Sequence, residues 1–299
     1  MPGMLRREFV KRTMLAGTAL AANPFSAARA MADAAAPGSA MRLGLVTYLW
    51  GAKWNLTTLL EYLESSGVLG VELRTTHAHG VEPSLGGRAR KEVKKRFADS
   101  PAVLVGLGSA ECFDSPDPAV LQKAIAATKR FVTLSHDVGS SGVKVRPNNF
   151  HKGVDHEKTI EQIGKSLNEV GRFAGNLGQQ IRLEVHGQCC APTTIKAIMD
   201  AADNPNVFVC WNSNRADLQG KGLKYNFDLL KDRFGATCHI RTLDDKDYPF
   251  QELLDLLVAM DYNGWLLMEC STRPPKRPVA ELRRQRALFA EMIRASQKA

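Results

Sequence analysis

Residues 142–187 read GVKVRPNNFHKGVDHEKTIEQIGKSLNEVGRFAGNLGQQIRLEVHG. A short β-branched run, GVKVRP (142–147), gives way to a stretch of helical period, EKTIEQIGKSLNEVGRFAGNLG, which stops at Gly178. A second apolar run, IRLEVHG (181–187), follows. Strand, helix, strand in this order implies two parallel strands joined by a crossover helix. The second strand carries Glu184 and His186, two residues apart and therefore on one side of it. Taken alone, an acid at a strand end reads as well for an ion pair as for chemistry.

The same alternation runs along the chain. Strand candidates are RLGLVTY (42–48), GVELR (70–74), AVLVGLGS (102–109), GVKVRP, IRLEVHG, VFVCWN (207–212), TCHIRTL (237–243) and GWLLMEC (264–270). Between them lie helical stretches with recognisable ends. NLTTLLEYLESSG opens on the cap Asn55 and stops at Gly67, and DPAVLQKAIAATKRFVTLSHDVG opens on Asp117-Pro118 and stops at Gly139. RARKEVKKRF (88–97) reads as the solvated face of a helix. TTIKAIMDAAD, NFDLLKDRFG, FQELLDLLVAMDYNG and PVAELRRQRALFAEMIRASQK complete the helices. Eight strand–helix units fit a single α/β (β/α)8 TIM barrel over 41–299 better than an open doubly wound sheet, and the first turn, TYLWGAKWN, lacks a glycine-rich phosphate fingerprint.

Upstream, residues 1–30 combine Arg6, Arg7, Lys11 and Arg12 with a short apolar segment and an Ala28-x-Ala30 cleavage pattern, the order of an export signal. Arg6-Arg7-Glu8-Phe9-Val10-Lys11 resembles a twin-arginine signal, whose pathway exports folded proteins, so a periplasmic location is expected. An Ala-, Pro- and Gly-rich linker is expected over 31–40. Removing 1–30 takes away five basic side chains and one acid. The balance of 40 against 31 becomes 35 against 30, and the net charge falls from +9 to +5. So small a surplus, without a basic block, does not argue for nucleic acid. No run approaches the ~20 apolar residues of a spanning helix. The six cysteines include no C-x-x-C pair, so neither a zinc ribbon nor a disulfide framework is indicated. A homo-oligomer stays open.

In a barrel all strands deliver their ends to one face, where the chemistry sits. The ends of strands five to eight supply Glu184, Asn212, His239 and Glu269. Two carboxylates, an amide oxygen and an imidazole suit one divalent cation, Mn2+, Mg2+ or Co2+ first and Zn2+ as well. A metal between two glutamates suits removal of a proton beside a carbonyl.

The stretches LEVHG, CHIRTLDD and WLLMEC resemble the sugar phosphate isomerase/epimerase superfamily of xylose isomerase-like TIM barrels, over roughly 41–290. The resemblance implies a Glu, an Asp, a His and a Glu around one cation, at the positions of Glu184, Asn212, His239 and Glu269 here, with both glutamates as proton carriers. Asn212 replaces the Asp, Arg215 stands where ketose epimerases bind substrate with a His, and Asp245 stands where they carry an Arg.

Substrate contacts are expected from His186, Arg146, Arg241, Trp50 and Trp211, the two tryptophans by stacking. Glu72 and Lys144 each read better as one member of a barrel-interior ion pair, and His77 and His79 as exposed loop residues. The expected activity is metal-dependent sugar isomerisation or epimerisation through an enediolate. A lyase that cleaves 3-keto-glycosides and an inactive sugar-binding protein are the alternatives. An abasic-DNA endonuclease, the superfamily's other branch, would need more histidines and a basic face.

Overall fold

Every expected apolar run becomes a parallel strand in the computed structural model, which describes residues 36–298. The expected export signal, and the linker as far as residue 35, lie outside the described residues. Strands β1 (Arg42–Val46), β2 (Gly70–Arg74), β3 (Val103–Cys112), β4 (Gly142–Arg146), β5 (Gln180–Glu184), β6 (Val207–Cys210), β7 (Thr237–Ile240) and β8 (Trp265–Met268) form one sheet. Its order is β6-β5-β4-β3-β2-β1-β8-β7. The remaining seam is nearly closed: parallel bridges join Val209 to Phe234 and Asn212 to His239, and the His239 amide donates to Trp211 O at 2.6 Å. The result is a TIM barrel within one compact unit, Pro37–Ala299.

One helix follows each strand: α1 (Leu56–Ser66), α2 (Gly87–Ala98), α3 (Pro118–Asp137), α4 (His156–Gly175), α5 (Pro192–Ala201), α6 (Leu223–Asp228), α7 (Phe250–Ala259) and α8 (Pro278–Ser296). The expected caps form. Asn55 accepts from Thr58 N, Asp117 accepts from Ala119 N, and Gly67 takes the left-handed conformation (φ 71°) that closes α1. Helix α2 buries only Val93 and Phe97, as its basic sequence requires. Helix α4 buries Ile163, Leu167, Val170 and Ala174, all fully, on one stripe facing the sheet. Truncating such a leucine to alanine costs about 2–5 kcal/mol. The helix expected at NFDLLKDRFG starts earlier, at Leu223, and breaks into a 3-10 turn at Lys231–Arg233. Among the described residues no helix is long and apolar enough to cross a membrane, and all six cysteines are free. The end of the expected linker is fastened, with the Gly38 amide donating to Asp261 at 2.8 Å.

Inside the barrel the strands divide the space into two chemistries. Val46, Val105, Trp265 and Leu267 make an apolar cluster separate from the main core. It exists because β1 and β2 supply glycines: a Cβ on Gly70 would lie 2.2 Å from the Trp265 ring, and one on Gly44 would lie 2.4 Å from Leu267. The other half is polar, with Glu72, Lys144, Arg182, Glu184 and His239 all buried. Two glycines of β3 make the room for Glu72, since a Cβ on Gly108 would meet its Oε1 at 2.8 Å and one on Gly106 its Oε2 at 3.1 Å.

Candidate metal centre and active site

Glu184 is the last residue of β5, His239 lies within β7, Glu269 follows β8 by one residue and Asn212 follows β6 by two. The strand ends thus bring all four expected residues to one rim. One ligand atom from each of Glu184, His239 and Glu269 lies within 4.8 Å of the other two. His239 Nδ1 is 3.3 Å from Glu184 Oε1 and 3.6 Å from Glu269 Oε2. Donors about 2.1 Å from a common ion stand about 3–4 Å apart, so these edges fit a divalent cation. Asn212 lies between the carboxylates, and its Nδ2 donates to Glu184 Oε1 at 2.9 Å and reaches Glu269 Oε2 at 3.5 Å. Its oxygen faces the same space after a half-turn of the amide.

Two further residues belong to this cluster, and both form the barrel-interior pairs expected of them. Lys144 Nζ contacts Glu184 Oε2 at 2.8 Å, with the side chains 3% and 1% exposed. Glu72 Oε1 lies 3.3 Å from His239 Nε2, both fully buried. That carboxylate favours a proton on Nε2, so the Nδ1 proton is the one a cation would displace, on the side of Glu184 and Glu269, the carboxylate–histidine arrangement behind many metal ligands. The contact lacks hydrogen-bond alignment, and both Glu72 oxygens, Glu184 Oε2 and His239 Nε2 are buried without a directional partner. So concentrated a set of buried carboxylate oxygens calls for a cation.

The electrostatics follow. Burial alone would raise the Glu184 carboxyl, but Lys144 and His239 outweigh it and hold the group well below the usual carboxylate range. Burial would likewise depress Lys144, yet Glu184, Glu269 and Glu72 raise it. His239 is held well above an ordinary imidazole, burial being overcome by Cys210, Glu72 and Glu269.

Around the mouth, Arg146 Nη2 donates to Ala110 O at 3.0 Å, His186 Nδ1 pairs with Asn148 Oδ1 at 3.1 Å, and Arg241 Nε lies 2.9 Å from Asp245 Oδ2. Asp245, where the family pattern implies an arginine, therefore anchors Arg241. The tryptophans are elsewhere. Trp211 is fully buried against Phe227 and Phe234, and Trp50 is 5% exposed with its Nε1 donating to Thr272 Oγ1. Neither ring face is open to a ligand, because Trp211 alternates to the side of β6 opposite Cys210 and Asn212. Arg215 is exposed and faces Asp247 at 3.7 Å. His79 is buried rather than exposed, its Nε2 donating to Arg74 O and its Nδ1 accepting from Val81 N. His77 is half-buried beside Thr47 Oγ1 at 3.2 Å. An acid that the sequence reading passed over, Asp217, is fully buried below this rim and accepts from Asn214 N and Tyr248 Oη, both at 2.8 Å. Its signal is the capping-box spacing Asn214-x-x-Asp217.

A model of the xylose isomerase-like TIM barrel family matches residues 60–292. Among solved structures, L-ribulose 3-epimerase is similar with a TM-score of 0.72 at 17% identity, covering 86% of this chain and 96% of that one. The 3-keto-D-glucoside 4-epimerase of E. coli aligns with a TM-score of 0.70 at 14% identity over 84% and 99% of the two chains. The IOLI protein with a zinc atom aligns with a TM-score of 0.71 at 16% identity over 86% and 99%. A search of curated proteins by sequence returned no match.

Proposed function

The chain belongs to the xylose isomerase-like TIM barrel family, and on that premise we propose that it is a divalent-metal-dependent carbohydrate isomerase or epimerase that moves a proton beside a carbonyl through an enediolate. The observation that carries this reading is the convergence of Glu184, His239 and Glu269 within 4.8 Å at the barrel rim. Several structural neighbours are named as sugar epimerases, which supports a carbohydrate substrate.

Glu184 Oε1, His239 Nδ1, a carboxylate oxygen of Glu269 and, after its half-turn, Asn212 Oδ1 would hold the ion, with Mn2+, Mg2+ or Co2+ favoured by the oxygen donors and Zn2+ admitted. A bound divalent cation would polarise the carbonyl and lessen the cost of the charge that develops on its oxygen. The two glutamates are not equivalent in this scheme. Glu184 is 1% exposed, is held by Lys144 and Asn212, and is kept strongly acidic, so it is a weak base. Glu269 is 17% exposed and faces the mouth, so it takes the carbon-bound proton and, once protonated, returns it to the enediolate; Glu184, ionised at rest, delivers a proton from the other side only in a turnover that it enters protonated and leaves as the carboxylate. Lys144 fixes the far oxygen of Glu184 and turns the near one toward the reacting centre. Glu72 does the same for His239. His186, Arg146 and Arg241 surround the substrate's remaining oxygens.

The test is a proton-exchange screen in D2O with the metal-loaded protein, covering free ketoses, aldoses and 3-keto-glycosides. The proposal expects deuterium incorporation at one carbon next to a carbonyl. Metal binding without exchange on any class would replace it with a sugar-binding role, and release of the aglycone from 3-keto-glycosides would mark a lyase. The Arg6-Arg7 leader supports export of the folded protein to the periplasm. Intact-mass measurement on protein from the native cell envelope tests that, with a chain beginning at Met31 expected and a retained Met1 contradicting it.

A further inference from the structure

Four strands repeat one arrangement: Glu72-x-Arg74, Lys144-x-Arg146, Glu184-x-His186 and His239-x-Arg241. The inner residue of each pair joins the buried cluster, and strand alternation sends the outer one to the same side, one step nearer the mouth. The cluster is therefore capped by three arginines and a histidine. Among the described residues, Arg74 and Arg146 form no ion pair, and Arg74 Nη1 donates to Thr75 O. Arg146 Nε and Arg241 Nη2 are buried without a hydrogen-bond partner, a costly state for a guanidinium. Glu111 feels the charge of Arg146, and Asp245 lies 2.9 Å from Arg241 Nε.

The charge count points the same way. The cations Arg74, Lys144, Arg146, Arg182 and Arg241 are matched by Glu72, Glu111, Glu184, Glu269 and Asp245 before any metal enters. A divalent ion then leaves the site positive by two, and the enediolate of a neutral sugar offsets only one of these charges. Asn212 removes the further carboxylate that the family pattern has in the ligand set.

Resting on the proposed reading of the site, we propose that the substrate carries a fixed anionic group, a carboxylate or a phosphate on a polyol, received by Arg146 and Arg241 at the barrel mouth. The unpartnered N–H groups of these side chains suit a planar or tetrahedral oxyanion.

Calorimetric titration of the Mn2+-loaded full chain with D-glucose, D-glucuronate and D-glucose 6-phosphate tests this at low and high ionic strength. One anionic sugar should bind about 10- to 100-fold more tightly than glucose, with the preference shrinking in salt. The arm that does so distinguishes carboxylate from phosphate. Arg146→Gln and Arg241→Gln should each lose about tenfold of that preference and keep their Mn2+ content. Arg146→Lys, which keeps the charge, should retain part of it and guards against a folding defect. Equal affinity for the three sugars, no binding of either anion, or an intact preference in both Gln variants overturns the inference. Anion-selective binding without deuterium exchange leaves it standing and removes the isomerase reading, whereas exchange on neutral sugars with no anion preference does the reverse.

Discussion

Replacing Lys144 with Met removes one ammonium from the most buried part of the site and nearly preserves the side chain's length. Lys144 Nζ lies 2.8 Å from Glu184 Oε2, with 3% and 1% of the two side chains exposed, so the substitution strands a carboxylate that water cannot reach. Breaking such a pair costs about 3–5 kcal/mol. Asn212 still donates to Glu184 and His239 still faces it, which places the expectation near the lower end, about 3 kcal/mol in chelator-treated protein. For a domain of this size that corresponds to a fall in Tm of roughly 6–12 °C. The metal should reverse the effect. A dication and an ammonium about 5 Å apart repel by at most about 7 kcal/mol at an effective dielectric of about 20. Even a fifth of that, about 1.4 kcal/mol, tightens Mn2+ binding tenfold. Denaturant unfolding with chelator and with saturating Mn2+, alongside calorimetric Mn2+ titration, reads both quantities. Equal destabilisation in the two conditions together with an unchanged Kd for Mn2+ would show that the ammonium does not share a field with the ion, and the electrostatic account of the site would fail.

Glu269→Gln should retain Mn2+, because the amide keeps an oxygen donor, yet lower deuterium exchange by about 10²- to 10⁴-fold, because an amide cannot accept the proton; full exchange in this variant would remove Glu269 from the proton relay. Asn212→Asp should tighten Mn2+ binding by adding a charge to the ligand set, read by calorimetry, with an unchanged Kd counting against Asn212 as a ligand. Burial pushes the Asp217 carboxyl up to about 7 despite hydrogen bonds from Asn214 and Tyr248. A raised carboxyl favours the folded state while it is protonated. Its contribution is therefore complete below about pH 4 and is lost as the pH climbs to about 7, by at most about 4 kcal/mol. Asp217→Asn should flatten that part of the stability–pH curve, and an identical slope in the variant would contradict the assignment.

The parts of this account visible in the sequence are those that depend on local pattern. GVELR becomes β2 residue for residue, and the Asn55, Asp117 and Gly67 signals cap helices where they stand, because buried parallel strands and helix ends leave short-range signatures. Strand ends are less legible. The regular strand ends at Glu184 in IRLEVHG and at Cys210 in VFVCWN, and beyond them only single links persist, Val185 N to Cys210 O and the bridge from Asn212 to His239, as the chain turns toward the mouth. The grouping of Glu184, Asn212, His239 and Glu269 follows once the barrel is recognised. What period-two alternation cannot supply is depth across the barrel. It places Glu72 and Lys144 inside, but their partners, His239 and Glu184, come from strands far away in the chain. The room for Glu72 comes from Gly106 and Gly108, whose contribution is an absence of side chain. Trp211 is a different case. The alternation that turns Asn212 inward already turns Trp211 outward, so its burial was available from the sequence, whereas the packing of Trp50 beneath Thr272 was not.

The central claim is that one divalent ion sits among Glu184, Asn212, His239 and Glu269, and the most direct measurement is anomalous diffraction at the manganese edge from crystals of the Mn2+-loaded protein. The account predicts a single strong peak about 2.0–2.3 Å from Glu184 Oε1, His239 Nδ1, a Glu269 oxygen and Asn212 Oδ1, with the Asn212 amide turned and Lys144 still on the far oxygen of Glu184. A peak elsewhere, or none there while Asn212 Nδ2 still bridges the two carboxylates, would contradict it.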